Sequence, residues 1–195
     1  CQYSCVFCFQ TKMRNHTKPT PKENIFTLIQ EAAENNNTFL IISGWEPTLD
    51  QNLIDYLSFA KKKWFQKIII HTNGYNLADP EYLQLLYQAG LSWIILSIHG
   101  FGEIGDIITK KAGNFENQNK ALINIARLIF SDNRFTLDTN TVLSKVWVPH
   151  VWKLYKYLTY FPIVRRMITY PYSLFWFTLE EKSSIVPDLQ ESIIQ

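Results

Sequence analysis

The chain has 195 residues, of which 47% are hydrophobic and 18% are charged, and this balance excludes an intrinsically disordered protein. Its 19 Lys and Arg residues against 17 Asp and Glu give a formal net charge of +2, which is too balanced for the clustered basic surface of a nucleic-acid or anionic-membrane binder. No apolar stretch approaches the ~18–20 residues that a membrane-spanning helix needs. We therefore expect neither nucleic acid nor a membrane among its partners.

All three cysteines lie within the first eight residues, at Cys1, Cys5 and Cys8. A secreted disulfide framework spreads an even number of cysteines along the chain, so this odd and clustered set indicates a metal or iron–sulfur site in a reducing compartment. We expect that compartment to be the cytoplasm. Because the chain opens on Cys1 rather than Met, we also expect it to be an excised domain.

Strand and helix signals alternate along the rest of the chain. A capping box at Thr20–Glu23 predicts the start of the first helix, and the apolar run Thr38–Ile42 predicts a strand that is covered on both faces. Periodic apolar stripes predict three further helices, an Asp-Pro start and a Gly stop predict a fourth, and short strand-like runs predict four further strands. The further helices contain Leu53–Trp64, the segment from Asp79-Pro80 to Gly90, Leu122–Ile129 and Val151–Leu158; the further strands are Ile68–Ile70, Trp93–Ile98, Phe135–Leu143 and Ile163–Tyr170.

This alternation predicts an α/β fold with a parallel sheet and right-handed crossovers, either an open sheet or a β/α barrel. The connection between the third and fourth predicted strands is longer than the others by roughly a dozen residues, which we place in an inserted loop at Gly100–Gly113. That loop follows the carboxyl end of a strand, the edge at which both fold types bind ligands. We divide the chain into a core at residues 1–172 and an irregular extension of unassigned role at residues 173–195.

The spacing of Cys1, Cys5 and Cys8 is C-x-x-x-C-x-x-C. Thiolates are the usual ligands of iron–sulfur clusters, and three cysteines leave one iron of a four-iron cluster without a protein ligand. The alternative is a structural zinc ion, which needs four closed ligands and would take His16 as the fourth. The spacing alone leaves both interpretations open.

In several motifs the chain resembles the radical S-adenosylmethionine (radical SAM) superfamily. The cysteine spacing is that family's signature, and Phe7 stands where the family has an aromatic residue before the third cysteine. The segment Ser43–Leu49 resembles the family's Gly-Gly-Glu-Pro segment. Thr72–Gly74, Leu96–Gly100 and Asn140–Leu143 resemble three later family segments, and all of the matches occur in the family's order.

The resemblance implies a partial (β/α)6 TIM-like barrel whose first strand would precede Cys1. It implies a 4Fe-4S cluster held by Cys1, Cys5 and Cys8, with S-adenosylmethionine (SAM) on the fourth iron. Enzymes of this kind cleave SAM reductively to a 5′-deoxyadenosyl radical, which abstracts hydrogen from a substrate, here an unidentified peptide or small molecule. A reductant such as a flavodoxin or a ferredoxin is also implied. The alternative function is a non-catalytic, zinc- or cluster-bearing binding module on the same barrel.

The resemblance also implies which residues contact SAM, and it implies no catalytic residue beyond the cluster and the SAM site. Gly44, Trp45 and Glu46 match the segment that binds the SAM amino group through its backbone and the Glu carboxylate. Phe7 would pack near the adenine. The strand-end residues assigned to the ribose hydroxyls or the methionine carboxylate, each with a turn or cap as its alternative, are Asn73, Ser97 and Asn140.

Two positions depart from the family pattern. Trp45 replaces the second glycine of the Gly-Gly-Glu-Pro segment, so its ring either points away from SAM or narrows the pocket. Gly105 stands where relatives often carry a His before the Asp. His71 and His99 also sit at strand ends and could face the site, although a lone histidine is more often structural.

Overall fold

A computed structural model describes residues 1–8, 18–143 and 148–171. His16 and the extension at 173–195, both named above, lie outside these residues. Within the described residues, no helix is long and apolar enough to span a membrane. The helices and strands follow in the order α1 Lys22–Glu34, β1 Phe39–Ile42, α2 Leu53–Lys62, β2 Lys67–Thr72, α3 Pro80–Gln88, β3 Trp93–Ser97, α4 Glu103–Thr109, α5 Asn114–Ser131, β4 Thr136–Leu143, α6 Val151–Leu158 and β5 Val164–Pro171.

The five strands form one sheet in the order β1-β2-β3-β4-β5, and every neighbouring pair is parallel. Strands that are consecutive in the chain are thus neighbours in space, with helices on the connections, which is the arrangement of a β/α barrel. The predicted α/β fold class is confirmed. Because all five strands run in one direction, their carboxyl ends and the loops that follow them lie on one edge of the sheet.

One face of the sheet packs on the helices and forms the core. Ile70 of β2 and Leu96 of β3 are fully buried on this face together with Leu57 of α2 and Leu122 of α5. Successive side chains of a strand point to opposite faces, so the alternate residues of β2, β3 and β4 point to the other face. We call this the inner face; its strand-end residues include His71, Ser97 and Asn140.

Two predictions about the first helix and the first strand are wrong. Helix α1 begins at Lys22, because Pro21 before it holds an extended conformation (φ −55°, ψ 144°). Pro21 occupies the N-cap position, and its ring has no acceptor with which to cap the helix. The Thr20–Glu23 capping box therefore does not form. Strand β1 is not covered on both faces: Phe39 and Ile41 are 55% and 56% exposed, because β1 lies at the edge of the described sheet and its inner face has no cover there.

The inserted segment Gly100–Gly113 is not a plain loop, since it contains helix α4. Ile108 is fully buried in the core, so the short helix is packed rather than solvated. Gly102 precedes the helix with φ +58°, and Lys110 ends it in a left-handed conformation. This helix could not be predicted from the apolar pattern, because seven residues are too few to establish a 3.6-residue repeat.

Candidate functional site

The cysteine loop, residues 1–8, lies against the end of helix α4. The Ser4 amide donates to the Thr109 carbonyl at 3.1 Å, and the Val6 amide donates to the Ile108 carbonyl at 2.9 Å. A turn brings the Cys8 amide to 2.9 Å from the Cys5 carbonyl. Helix α4 therefore holds the loop over the carboxyl edge of the sheet. The hydrogen bonds between them join backbone groups only, so they do not depend on the side chains of either segment.

Two buried aromatic residues anchor the cysteine loop to the loops that follow β2 and β3. The Tyr3 ring meets Tyr75 edge-on with centroids 6.0 Å apart, and the Phe7 ring meets His99 edge-on at 4.7 Å. Tyr3 is 3% exposed and Phe7 is 7% exposed. Burial, with a smaller contribution from the Glu46 carboxylate, raises the pKa of Tyr3 far above its ordinary value, so its hydroxyl stays neutral.

Cys1, Cys5 and Cys8 form no disulfide, and their side chains are half-buried in this loop. In the part of the chain that the structure describes, no three His, Cys, Asp or Glu side chains are grouped closely enough to hold one metal ion. A four-iron cluster spreads its thiolates over separate irons, so three cysteines on one short loop fit it in number and in chemistry.

Glu46 is buried and joins the loop after β1 to the loop after β2. Its Oε1 accepts hydrogen bonds from the Thr48 amide at 3.1 Å, the Thr48 hydroxyl at 2.7 Å and the Thr72 hydroxyl at 2.6 Å. Its Oε2 accepts from the Asn73 amide at 2.7 Å. A carboxylate offers about four acceptor sites, so protein donors already use the capacity of this side chain. The structure thus gives the carboxylate a structural task that the sequence interpretation did not include.

Asn73 extends this connection to the cysteine loop. Its Oδ1 accepts from the Tyr75 amide at 2.9 Å, which is the local turn expected of an Asn-Gly pair. Its Nδ2 donates to Gln2 Oε1 at 3.3 Å and lies 3.6 Å from Cys1 Sγ. Asn73 therefore forms the local turn and also contacts the cysteine loop, while its assignment to SAM stays a prediction.

The structure explains how a tryptophan fits into the glycine-rich segment. Gly44 has φ +136°, a conformation that side-chain-bearing residues rarely adopt, and a Cβ there would meet no atom within 4 Å. Trp45 does not have a positive φ and is half-buried. Because the unusual backbone conformation falls on Gly44 alone, Trp45 needs no strain to occupy the second glycine position.

We expect Gly74→Ala to lower the free energy of unfolding by about 2–4 kcal/mol. Gly74 has φ +80°, which strains any side-chain-bearing residue, and a Cβ there would overlap Cδ1 of the fully buried Leu96, which would have to shift within the core. Gly102→Ala is the matched control, because Gly102 also has a positive φ (+58°) but a Cβ there meets no atom within 4 Å. Urea unfolding of both variants measures the difference, and equal losses would contradict the packing argument.

Three polar side chains from neighbouring strands meet on the inner face. His71 Nε2 lies 3.0 Å from Ser97 Oγ and 2.9 Å from Asn140 Nδ2. Because an amide nitrogen only donates, Nε2 accepts and the ring proton resides on Nδ1. Burial lowers the pKa of His71, against a smaller opposite effect of Glu46, so the ring is neutral. The structure places Ser97 and Asn140 around the ring of His71, a residue that the sequence interpretation regarded as more often structural.

His99 sits behind Phe7 and contacts strand β4. Its Nδ1 accepts the Val142 amide at 3.2 Å, so the neutral ring carries its proton on Nε2. Burial, together with the nearby His71, lowers the pKa of His99 to about 3. His99 therefore supports the cysteine loop as an uncharged ring, and its interpretation as a structural histidine fits these contacts.

The pKa of His99 predicts a pH-dependent stability. The folded pKa lies below the unfolded value of about 6.5, so the unfolded chain binds the proton more readily and stability falls as the pH drops below 6.5. Between pH 7.5 and pH 5.5 we expect the wild-type protein to lose about 1.4 kcal/mol more stability than His99→Asn, whose side chain can still accept the Val142 amide. Urea unfolding at both pH values measures this, and equal losses would contradict the role of His99.

Close packing accounts for Gly105. A Cβ on Gly105 would lie 2.8 Å from the Gly100 carbonyl oxygen, so the start of α4 has no space for a side chain. The neighbouring Asp106 accepts the Gly113 amide at 2.7 Å and the Phe115 amide at 2.9 Å. It thereby satisfies amides at the start of α5, a task that an acidic residue performs well at a helix N-terminus.

Comparison with protein families gives a match over most of the chain. A family model described as the Radical SAM superfamily matches residues 1–157. The Fe-coproporphyrin III synthase of Methanosarcina barkeri is 30% identical over 144 residues, which are 73% of this chain and 36% of that protein. A probable GTP 3′,8-cyclase of Saccharolobus islandicus is 28% identical over 99 residues, which are 51% of this chain and 32% of that protein. The chain thus spans about a third of the length of these relatives.

Two solved structures share the fold at low sequence identity. The coproporphyrinogen III oxidase HemN from Escherichia coli, a radical SAM enzyme, aligns with a TM-score of 0.62 at 16% identity and covers 98% of this chain and 47% of its own. The methylornithine synthase PylB aligns with a TM-score of 0.64 at 14% identity and covers 89% of this chain and 50% of its own. Both alignments support the partial-barrel architecture.

Proposed function

Because the chain belongs to the radical SAM superfamily, whose members use a 4Fe-4S cluster and SAM, we propose that it binds both and cleaves SAM reductively. The relatives found above are enzymes, and their names describe different reactions. We therefore propose radical chemistry on a peptide or a small molecule and do not transfer any relative's substrate. Enzymes of this superfamily act with electron donors, and we propose a flavodoxin or a ferredoxin for this role.

The position of the cysteine loop carries this proposal. Backbone contacts with α4, the Tyr3–Tyr75 and Phe7–His99 ring contacts and the Asn73 side chain hold the loop over the carboxyl ends of the strands. The polar side chains on the inner face lie at the same ends of β2, β3 and β4. Ligands of β/α folds bind at this edge, so the three thiols and the polar side chains are on the correct side of the sheet for one site.

Each part of the site has a separate task in the proposed reaction. When bound, the cluster supplies one electron and SAM supplies the carbon–sulfur bond whose cleavage yields methionine and a 5′-deoxyadenosyl radical. Cys1, Cys5 and Cys8 would hold three irons, and the Gly44–Glu46 segment would present backbone groups to the amino group of SAM. Ser97, Asn140 and Asn73 offer polar groups for the ribose hydroxyls or the methionine carboxylate. Buried Phe7 would pack near the adenine and help to exclude water.

The thiols set the conditions under which this site works. Cluster assembly requires reduced cysteines, so we propose the cytoplasm, whose glutathione and thioredoxin systems keep thiols reduced. The same requirement means that the protein has to be prepared and assayed without oxygen.

Anaerobic reconstitution with iron and sulfide tests the proposal. We expect a brown protein with about four irons per chain that forms 5′-deoxyadenosine and methionine from SAM when a strong reductant is added. Reactions that lack the reductant serve as the control. A colourless protein that retains one zinc ion through its cysteines and His16, or an intact cluster that leaves SAM unchanged, would contradict the proposed function.

A further inference from the structure

A second cluster of polar residues lies on the inner face, below the His71–Ser97–Asn140 group. Asp138 stands two residues before Asn140 on β4, so both side chains point to the same face and lie about 7 Å apart along the strand. Arg166 is the β5 partner of Asp138, and Arg165 occupies the register shift between Leu137 and Asp138. Trp93, the first residue of β3, shares this face with Ser97.

Asp138 fixes two guanidinium groups in this position. Its carboxylate is fully buried and accepts from Arg165 Nε and Nη2 at 3.0 and 2.8 Å, and from Arg166 Nε and Nη2 at 3.3 and 3.0 Å. Both guanidiniums also lie over the Trp93 ring, at 4.2 and 5.7 Å from its centroid. Arginine side chains are ordinarily mobile, and here hydrogen bonds and a ring hold both in defined orientations.

The charges of this cluster do not cancel. Burial raises the pKa of Asp138, but the hydrogen bonds from Arg165 and Arg166 outweigh burial and leave that pKa below its ordinary value, so the carboxylate is ionised at neutral pH. One carboxylate against two guanidiniums leaves one net positive charge. A single arginine would suffice to neutralise the buried Asp138, and among the described residues the two arginines share this one carboxylate.

Both arginines keep donors for another group. Each directs its Nε–Nη2 edge at Asp138, which leaves the Nη1 group of each guanidinium outside these bonds. The side chains of Arg165 and Arg166 are 46% and 56% exposed, so a ligand can reach them. Fixed guanidiniums with outward donors match the geometry of carboxylate and phosphate oxygens.

We propose that Arg165 and Arg166 bind a carboxylate or phosphate group of the substrate on the inner face of the barrel. This inference rests on the proposed function and adds the substrate class, an anionic molecule. With its anionic group at the arginines, the rest of such a molecule extends along the inner face toward His71 and Asn140, the end of the sheet over which the cysteine loop lies.

Calorimetric titration of the reconstituted protein with glutarate and with inorganic pyrophosphate tests this site, since the two probes distinguish a carboxylate from a phosphate preference. Arg166→Gln is the test variant, because it leaves the Arg165–Asp138 pair in place. Arg127→Gln is the matched control, since Arg127 is an exposed arginine of α5 on the helix side of the sheet. Ionic strength is kept constant with NaCl because salt screens charge interactions.

We expect at least one probe to bind the wild-type protein and the Arg127→Gln variant equally, and to bind Arg166→Gln at least fivefold more weakly. If Arg166→Gln does not fold, Arg166→Lys keeps the charge but removes the planar fork, and it should weaken binding at least twofold. The inference would be overturned if the wild-type protein bound neither probe, or if all variants bound the probes equally. Because anion binding requires no SAM cleavage, a protein that cleaves SAM without binding either probe refutes only this inference, and one that binds a probe without cleaving SAM refutes only the proposed function.

Discussion

Replacement of Cys5 by serine should abolish SAM cleavage, leaving no more 5′-deoxyadenosine than a reaction without protein. The chain has three cysteines, so the loss of any one leaves two thiolates for a cluster that needs three. The serine hydroxyl stays protonated near neutral pH and is a poor substitute for a thiolate ligand. We expect the same result for Cys1→Ser and Cys8→Ser, with iron content and 5′-deoxyadenosine as the measurements.

Ser4→Ala is the matched control for the cysteine variants. Ser4 lies in the same loop, and the contact that it makes with Thr109 uses its backbone amide, which alanine retains. This variant should keep its iron and its activity. SAM cleavage by Cys5→Ser at a rate near that of Ser4→Ala would show that the cysteine loop does not hold the reactive cluster.

Glu46→Gln should lower the free energy of unfolding by about 2–4 kcal/mol and raise the KM for SAM. Glutamine has one oxygen and one amide NH2, whereas both oxygens of Glu46 accept protein donors. Either orientation of the amide therefore places an NH2 group against the Asn73 amide or against the donors of Thr48 and Thr72. Since these contacts join the loops after β1 and β2, their loss should disturb the Gly44–Glu46 segment that we assign to SAM.

Glu31→Gln makes the same chemical change at an exposed position of α1, and it should leave both quantities unchanged. Chemical unfolding and steady-state kinetics of the two variants measure the effect. A Glu46→Gln protein as stable as Glu31→Gln would contradict the connection between the loops, while a normal KM in a destabilised protein would separate the connection from SAM binding.

The strands could be predicted from the sequence because short segments rich in apolar and β-branched residues alternate with helical stripes. Phe135–Leu143 and Ile163–Tyr170 lie within one residue of the observed β4 and β5 at each end. The exposure of β1 could not be predicted, because the sequence Phe39–Ile42 has the composition of a central strand and its position at the edge depends on sheet order. Helix α4 is too short for periodicity to detect, yet it supports the cysteine loop.

The candidate site was predictable in its residue types and not in its contacts. The cysteine spacing and the Ser43–Leu49 segment identify the family, which the match to residues 1–157 confirms. The contact of His71 with Ser97 and Asn140 depends on the register of three strands, which no local pattern encodes. The SAM contacts themselves remain a prediction.

Electron–nuclear double-resonance spectroscopy of the reduced protein gives the most direct test of an iron that the protein leaves open. The sample contains SAM labelled with 15N in its amino group and 13C in its carboxylate. If Cys1, Cys5 and Cys8 hold three irons and SAM binds the fourth, both labels should couple to the electron spin of the cluster. A reduced cluster that shows no coupling to either label, in a protein saturated with SAM, would contradict the claim that SAM binds the fourth iron.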